Sequence, residues 1–231
     1  AVREVDSHRD FAAGIRFGKR AAAMAERHGK NSMIYADALE TLGGIYREGR
    51  ELRAAEATTC ESLKITENLL DPMDPSIASR LNDLGLTVGR LGRPVEAENA
   101  YLRAIKIGEA SHDPELGKYY NNLGTAYQKQ MQFTKALAVC KRALEINEKN
   151  NGSFADEILG NMGVIAYYTK DYDKAIEYLK KVRQIQKIQG KDKLPGTEGT
   201  LLNLVRVYQQ LNDHENAVRY LKEALDAKLA T

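Results

Sequence analysis

The sequence predicts an all-α protein, a solenoid built from antiparallel helix pairs. Two observations predict this class. One pattern of large and small residues returns five times along the 231-residue chain, and within each copy the pattern has the spacing of a helix face. A composition with 29% charged residues and only 5 prolines is consistent with a helical array of this kind.

The repeat is anchored on a large residue, and fixed residue sizes recur at set distances after that anchor. The anchors are Leu42, Leu84, Leu123, Met162 and Leu204, at spacings of 42, 39, 39 and 42 residues. The next residue is Gly43, Gly85, Gly124, Gly163 or Val205. Thirteen residues after the anchor stands alanine in every copy: Ala55, Ala97, Ala136, Ala175 and Ala217. Five copies that agree at several offsets indicate a true internal repeat.

Each copy is predicted to form two helices. The anchor, the residue after it and the residue four positions on lie on one side of a first helix. Positions +13, +17 and +20 share one side of a second helix, and position +17 holds Thr59, Tyr101, Cys140, Leu179 and Leu221. Small residues on facing helices allow close approach, and the larger ones fill the space that remains.

The elements are predicted in order along the chain. Residues 1–30 are predicted to form one helix of a half repeat, because Ala13 and Phe17 lie 42 residues before Ala55 and Thr59. Five helix pairs come next, at about 31–71, 72–112, 113–151, 152–193 and 194–231. Segments rich in Pro, Gly, Asn and Asp separate successive pairs.

These residues resemble the tetratricopeptide repeat family, whose Leu-Gly-x-x-Tyr pattern with spaced Ala, aromatic and Ala is matched best by Leu123 to Ala143. The copies are longer than the usual unit of about 34 residues. Their length, the segment NNLGTAY and the linkers LLDPMDPSIA and SHDPE are similar to the kinesin light chain subtype. The resemblance implies a right-handed superhelix whose first helices line a concave groove.

Composition argues against several function classes. A net charge of +2 is too small for a protein that holds nucleic acid mainly through its overall field, so we expect no nucleic-acid binding. No stretch approaches the ~18 apolar residues of a membrane span, so we expect no membrane insertion. We expect a cytoplasmic protein, although removal of a targeting segment stays open because the sequence begins at Ala1.

We predict no catalytic residues, no metal ligands and no cofactor. Cys140 occupies the +17 packing offset, so a buried structural thiol is favoured over a nucleophile. Cys60 stands one residue beyond that offset in its copy, with no motif around it. The four histidines are scattered and form no metal-binding spacing. The glycines are spaced for helix packing, and none forms a phosphate loop.

The candidate binding residues come from the side of each first helix opposite the anchor. At about 100° per residue, offsets −5, −1, +2 and +6 should line the concave face. The predicted peptide-binding set is Arg90, Lys118, Asn122, Lys129, Asn161, Tyr168, Asn203 and Arg206. The first copy carries acidic residues at these offsets instead, Asp37 and Glu48.

This set suggests a ligand. Asn122, Asn161 and Asn203 recur at one offset, so their amides could form a ladder that bonds the backbone of an extended peptide. The surrounding Lys and Arg side chains favour acidic groups, and Tyr168 with Leu86 and Val164 could hold an apolar anchor. The kinesin light chain resemblance implies partner peptides with an aromatic residue among acidic ones.

A structural interpretation of the same residues stays open. An Asn on a first helix can simply bond the adjacent repeat, exposed Lys and Arg usually form a solvated face, and Tyr168 can serve packing between repeats. Our leading hypothesis is a non-catalytic adaptor or scaffold that binds an extended, acidic segment of another protein. The alternatives are a peptide-sensing regulatory domain that changes curvature, and a scaffold that self-associates through uncapped array ends.

Overall fold

A computed structural model describes residues 2–150, 152–190 and 197–229, without the side chains of residues 2–10. The described residues form eleven α-helices, and this all-α architecture confirms the predicted class. Their bounds are α1 Val2–Glu26, α2 Met33–Glu48, α3 Leu52–Leu69, α4 Pro75–Arg90, α5 Pro94–Ser111, α6 Leu116–Lys129, α7 Phe133–Lys149, α8 Ala155–Tyr168, α9 Tyr172–Ile188, α10 Glu198–Gln210 and α11 His214–Leu229.

The chain divides into two compact units, unit 1 (Ala1–Ala126) and unit 2 (Tyr127–Thr231), with the division inside α6. In unit 1, helices α1 to α5 pack in chain order, each against the next. In unit 2, helices α7 to α11 do the same. None of the helices in the described part of the chain is both long enough and apolar enough to cross a bilayer.

Local sequence accounts for several helix starts. Asp74 precedes α4, and its carboxylate accepts the backbone N–H of Ser76 at 2.8 Å. Pro75 then occupies the first helical position, where a missing N–H costs nothing. Asp213 precedes α11 and accepts the backbone N–H of Asn216 at 3.0 Å. These short-range bonds fix where the helices begin.

The turn inside each helix pair has the same geometry in all five copies. Eight residues after each anchor the backbone is left-handed, with φ between 56° and 80°, at Arg50, Gly92, Met131, Lys170 and Asn212. In each copy the next N–H donates to the carbonyl at offset +4, at 2.8 to 3.1 Å. This is the bond of a Schellman-type helix ending, and it satisfies a carbonyl that the helix leaves unpaired. The same backbone turn thus recurs at one offset from each anchor.

Close approach within the pairs depends on glycine, as predicted. A Cβ added at Gly85 would lie 2.5 Å from the ring of Tyr101, and one added at Gly163 would lie 2.8 Å from Leu179 Cγ. Both contacts join offset +1 on the first helix to offset +17 on the second. Neither space admits a methyl group without movement of the neighbour.

The fifth copy departs from this packing. Val205 stands where four copies have glycine, and it is buried, so its side chain fills the space that glycine leaves open. Leu221 at offset +17 is 50% exposed, although we predicted a packing role for it. Tyr220, one residue earlier, is buried and stacks on Tyr208 with ring centroids 5.5 Å apart. In this copy the residue at offset +16, and not the one at +17, packs against the first helix.

Candidate functional site

All eight predicted binding residues lie on first helices of the pairs. Arg90 ends α4, Lys118, Asn122 and Lys129 lie on α6, Asn161 and Tyr168 on α8, and Asn203 and Arg206 on α10. The four lysine and arginine side chains are exposed, as is Tyr168, whereas the three asparagines are half-buried. The continuous ladder of three amides stays a prediction, because Asn122 belongs to unit 1 and the other two to unit 2.

Unit 2 brings three of the predicted residues together around one pocket. Tyr168 of α8 and Asn203 and Arg206 of α10 line it, with Val164 on the same wall as Tyr168. Its volume is about 30 Å³. The pocket is closed at depth by Leu179, which is 1% exposed, and by Val207, which is fully buried. The result is an apolar depression with a polar rim.

The aromatic wall of this pocket is held by a chain of ring contacts. Tyr168 stacks on Phe133 of α7 with ring centroids 5.6 Å apart and an interplanar angle of 10°. Tyr167 meets Tyr168 edge-on at 5.6 Å, and Tyr172 lies 6.1 Å from Tyr167. Such arrangements stabilise aromatic pairs beyond the area they bury. Tyr168 therefore has a defined position although it is 56% exposed.

The polar rim of the pocket combines an amide with a guanidinium group. Arg206 Nη1 donates to Asn203 Oδ1 at 3.4 Å, a long bond between two residues three positions apart. The guanidinium group has five donor hydrogens, so this single bond leaves it able to contact a further acceptor. The rim can thus offer hydrogen bonds and positive charge to a ligand whose apolar group enters the pocket.

The equivalent face of unit 1 is crossed by ion pairs between its own helices. Arg47 of α2 lies 3.2 Å from the carboxylate of Asp83 on α4. Arg90 of α4 lies 3.1 Å from Glu48 of α2 and also donates to the carbonyl of Arg47 at 3.0 Å. Arg90 was predicted to attract an acidic ligand, but a ligand carboxylate would have to compete with Glu48 for it.

A third arginine of unit 1 is buried between these helices. Arg80 is 2% exposed and donates to Ser62 Oγ at 3.0 Å and to the carbonyl of Ser76 at 3.1 Å. It also pairs with Asp37 and, at 3.4 Å, with Glu40. Burial of an arginine is tolerated where its charge and donors are satisfied in this way. Through these hydrogen bonds and ion pairs, Arg80 of α4 links that helix to α2 and α3.

Asn122 bonds the adjacent repeat, as expected if its amide has a structural role and does not primarily bind a peptide. Its Nδ2 donates to Asn82 Oδ1 on α4 at 2.8 Å, so the amide bonds the neighbouring first helix. Partial burial makes such a partner necessary for a polar side chain. For this residue, peptide binding would use only the donors and acceptors that the bond to Asn82 leaves unused.

The carboxyl groups on the unit 1 face have raised pKa values. Burial raises the pKa of Asp83, against the opposing effect of Arg47. Burial also raises the pKa of Glu40, and here Arg80 opposes it. In both cases the loss of water outweighs the neighbouring positive charge. Both carboxyl groups therefore take up a proton at a higher pH than they would in water, and protonation weakens their ion pairs.

The two cysteines have different surroundings. Cys140 is fully buried, as its packing offset predicted, and burial raises the pKa of its thiol to about 12. Cys60 is exposed at a cavity of about 400 Å³ between α3, α4 and α5. Partial burial, followed by the charge of Glu56, raises the pKa of this thiol as well. Neither environment favours the thiolate that nucleophilic chemistry requires.

Within the described residues, no three His, Cys, Asp or Glu side chains are grouped as a metal site would need. The sequence analysis missed three contributors to the pocket, Tyr167, Val207 and the supporting ring of Phe133. Tyr167 and Val207 directly neighbour predicted inward positions, which is a usable signal. Phe133 begins a second helix, and no offset rule points to it.

Comparison with known proteins agrees with the repeat pattern. A family model for the tetratricopeptide repeat matches residues 115–187 and 154–230, together half of the chain. Kinesin light chain-related protein 1 of Arabidopsis thaliana is 32% identical over 104 residues, which are 42% of this chain and 17% of that protein. The chain spans between 12% and 17% of the length of the curated relatives that it matches.

Solved structures agree with the fold. The crystal structure of BtubC from P. vanneervenii has a TM-score of 0.80 at 21% identity and covers 95% of this chain and 91% of its own. Kinesin light chain TPR-like repeats from Podosopora anserina give a TM-score of 0.69 at 18% identity, with coverages of 83% and 94%. The fold is therefore that of kinesin light chain-like repeat superhelices.

Proposed function

Because this chain belongs to the tetratricopeptide repeat family, we propose that it is a non-catalytic adaptor or scaffold that binds an extended, acidic segment of another protein along its first helices. Domains of this family generally bind other proteins, which supports the class of function. One observation carries the finer proposal: the pocket between α8 and α10 joins an apolar depression to the rim of Asn203 and Arg206.

The pocket and its rim would contact different parts of the bound segment. An apolar side chain entering between Val164 and Val207 loses contact with water and supplies affinity. An acidic group beside it gains a charge-assisted hydrogen bond from Arg206. Asn203 can bond the peptide backbone between these two points. In unit 2, Lys129 and Asn161 are proposed as further peptide contacts; in unit 1, Lys118 and Asn122 stay predicted contacts.

Charge reversal on the first helices tests this proposal. The protein is applied to an array of short peptides rich in Asp and Glu, and to a matched array with Lys in their place. We expect binding to the acidic array, weakened at least about tenfold by Arg206→Glu combined with Lys129→Glu. The control combines Lys141→Glu with Lys180→Glu, two exposed positions on second helices. Equal loss in both double variants, or equal binding to both arrays, contradicts the proposal.

Self-association is the second candidate, favoured by one exposed stripe on α11. Val218, Leu221 and Leu225 recur at helical spacing and are 50%, 50% and 55% exposed. A stripe of this kind marks an interaction site when another helix covers it. We expect light scattering to show a mass that rises with concentration if a second copy provides that helix, and Leu221→Lys to abolish the rise. The peptide-sensing alternative stays a prediction.

A further inference from the structure

We propose that the α11 stripe, formed by Val218, Leu221 and Leu225, binds helix α1 of a second copy of this chain, so that copies associate head to tail. The inference rests on self-association, the second candidate of the proposed function, and specifies the surface that meets α11. It does not involve the pocket between α8 and α10, so its test is independent of the adaptor function.

Helix α1 has an exposed apolar stripe of its own, formed by Phe17, Ala21 and Met24. Phe17 is 67% and Met24 is 62% exposed, and Ala21 between them is exposed as well. A different side of α1, with Gly18 and Ala22, packs against α2. The α1 stripe is therefore still exposed to solvent after α1 has packed on its neighbour.

The α1 stripe occupies positions that are buried in the next copy of the repeat. Thr59 and Thr66 of α3 lie 42 residues after Phe17 and Met24. They are 2% and 0% exposed, because in that copy these positions take part in helix packing. The exposure of two large apolar residues at the same positions of α1 indicates a surface on which a helix can pack.

The α11 stripe occupies positions of a similar kind. Leu225 stands 21 residues after the fifth anchor and is 55% exposed. The residues at that offset in the first two copies, Leu63 and Ile105, are buried. Each copy of the chain therefore has two apolar helix surfaces whose equivalents inside the array are covered, and a second copy can supply the cover for either.

The two stripes match when the helices run in opposite directions. Along α1 the spacings are four and then three residues, and along α11 they are three and then four. An antiparallel alignment therefore brings three pairs level with one another: Met24 with Val218, Ala21 with Leu221, and Phe17 with Leu225. Each stripe is about 10 Å long. In the middle of the contact the small Ala21 meets the larger Leu221, which allows the helices to approach closely.

Charges beside the two stripes also favour this alignment. Three pairs of exposed charged side chains come level in it: Asp226 with Arg16, Glu215 with Arg27, and Lys222 with Arg20. The first two pairs attract each other and the third pair repels, so the balance is favourable. Two α1 helices packed on each other would instead bring together two surfaces that both carry these arginines.

A contact between two different surfaces does not close on itself. A pair of copies still has one free α1 stripe and one free α11 stripe, so further copies can add to it. One helix packed on one helix buries less than the ~1,200 Å² of a standard interface. We therefore expect weak association, detectable above a protein concentration of about 100 µM.

Mixing two blocked variants tests the inference by light scattering. Phe17→Lys places a charge on the α1 stripe, and Leu221→Lys places one on the α11 stripe. We expect the mass of the wild type to rise with concentration and each variant alone to stay a monomer. An equimolar mixture of the two variants should reach the mass of two chains and no more, because each variant keeps one intact stripe. Val95→Lys, at an exposed valine of α5, is the matched control and should associate like the wild type.

Other outcomes of the mixing experiment overturn the head-to-tail contact. Association of Phe17→Lys alone would show that two α11 stripes meet, and association of Leu221→Lys alone would show that two α1 stripes meet. A mixture that stays monomeric while the wild type associates would also contradict it. A wild type that stays monomeric would overturn this inference and the self-association candidate together, and would leave the adaptor function standing.

Disulfide trapping tests the alignment without a charged substitution. Because Cys60 is exposed, Cys60→Ser is introduced first, and Ala21→Cys is then combined with Leu221→Cys. Oxidation should give a ladder of covalent dimers, trimers and larger species, since each chain then has one cysteine for each neighbour. Leu221→Cys combined with Val95→Cys is the control and should give no ladder. Absence of a ladder from the first pair, or an equal ladder from the control, overturns the alignment.

Discussion

The first-helix faces of the two units come from similar offsets in the repeat, but their side chains are paired differently. In unit 1, α2 and α4 join their charges to each other, Arg47 to Asp83 and Arg90 to Glu48. In unit 2, α8 and α10 surround a pocket with Tyr168 and Arg206 at its edge. A shared backbone pattern therefore does not determine whether the polar side chains of a face pair with one another or are exposed to a partner protein. The identity of residues facing across the helices decides it.

The largest loss of stability is expected when the ion pairs of the buried Arg80 in unit 1 are broken. Arg80→Ala leaves Ser62 and the nearby carboxylates without their donor, so we expect a loss of about 3 kcal/mol in the free energy of unfolding. Urea denaturation measures it. Arg103→Ala removes an exposed pair with Glu67 and should change stability by less than about 0.5 kcal/mol. Similar losses in the two variants would contradict the structural role of Arg80.

The next effect compares two glycines on α8 of unit 2. Gly163→Ala places a methyl group against Leu179, and we expect it to cost about 1–2 kcal/mol. Gly160→Ala meets nothing within 4 Å and should stabilise the helix by about 0.5–1 kcal/mol. Thermal unfolding of the two variants checks the difference. Stabilisation by both substitutions would show that Leu179 yields easily and that the pocket floor is soft.

A third prediction sharpens the contrast in binding between the units. Arg206→Glu should weaken binding of acidic peptides about tenfold, whereas Arg90→Glu should weaken it about twofold, because Glu48 already occupies Arg90. Fluorescence polarisation at low and high salt measures both. Equal losses would mean that the ion pairs of unit 1 open readily for a ligand.

The smallest expected effect is a change with pH in the contribution of Asp83 to stability. The raised pKa of Asp83 means that the native state binds this proton more tightly than the unfolded state, so its contribution to stability is greatest at low pH. That contribution falls as pH rises above about 3.8 and through the folded pKa. We expect the stability difference between wild type and Asp83→Asn to decrease over this range in urea titrations. A difference that grows with pH would show that Arg47 outweighs burial.

The fold was predictable because its signals are local and repeated. Leu84, Gly85 and Ala97 specify one pair, and equivalent residues specify the other four. The left-handed turn at offset +8 was not predicted, since Arg50, Met131 and Lys170 carry no preference for that conformation. The bonds that close each pair impose it.

The candidate site was predictable only in part. Helical geometry identified Tyr168, Asn203 and Arg206, and the structure brings them to one pocket. It could not reveal that Glu48 pairs with Arg90, or that Asn82 bonds Asn122, because each contact joins residues 40 or more positions apart.

By itself, the sequence determined the class of fold and which residues share one side of each first helix. These follow from residue size at fixed spacing along single helices. Tertiary structure alone decided that unit 1 neutralises its own charges and that Phe133 holds Tyr168 at a pocket. Such ion pairs and ring contacts depend on distances of a few ångströms between side chains of different helices. The spacing of residues along the sequence does not specify those distances.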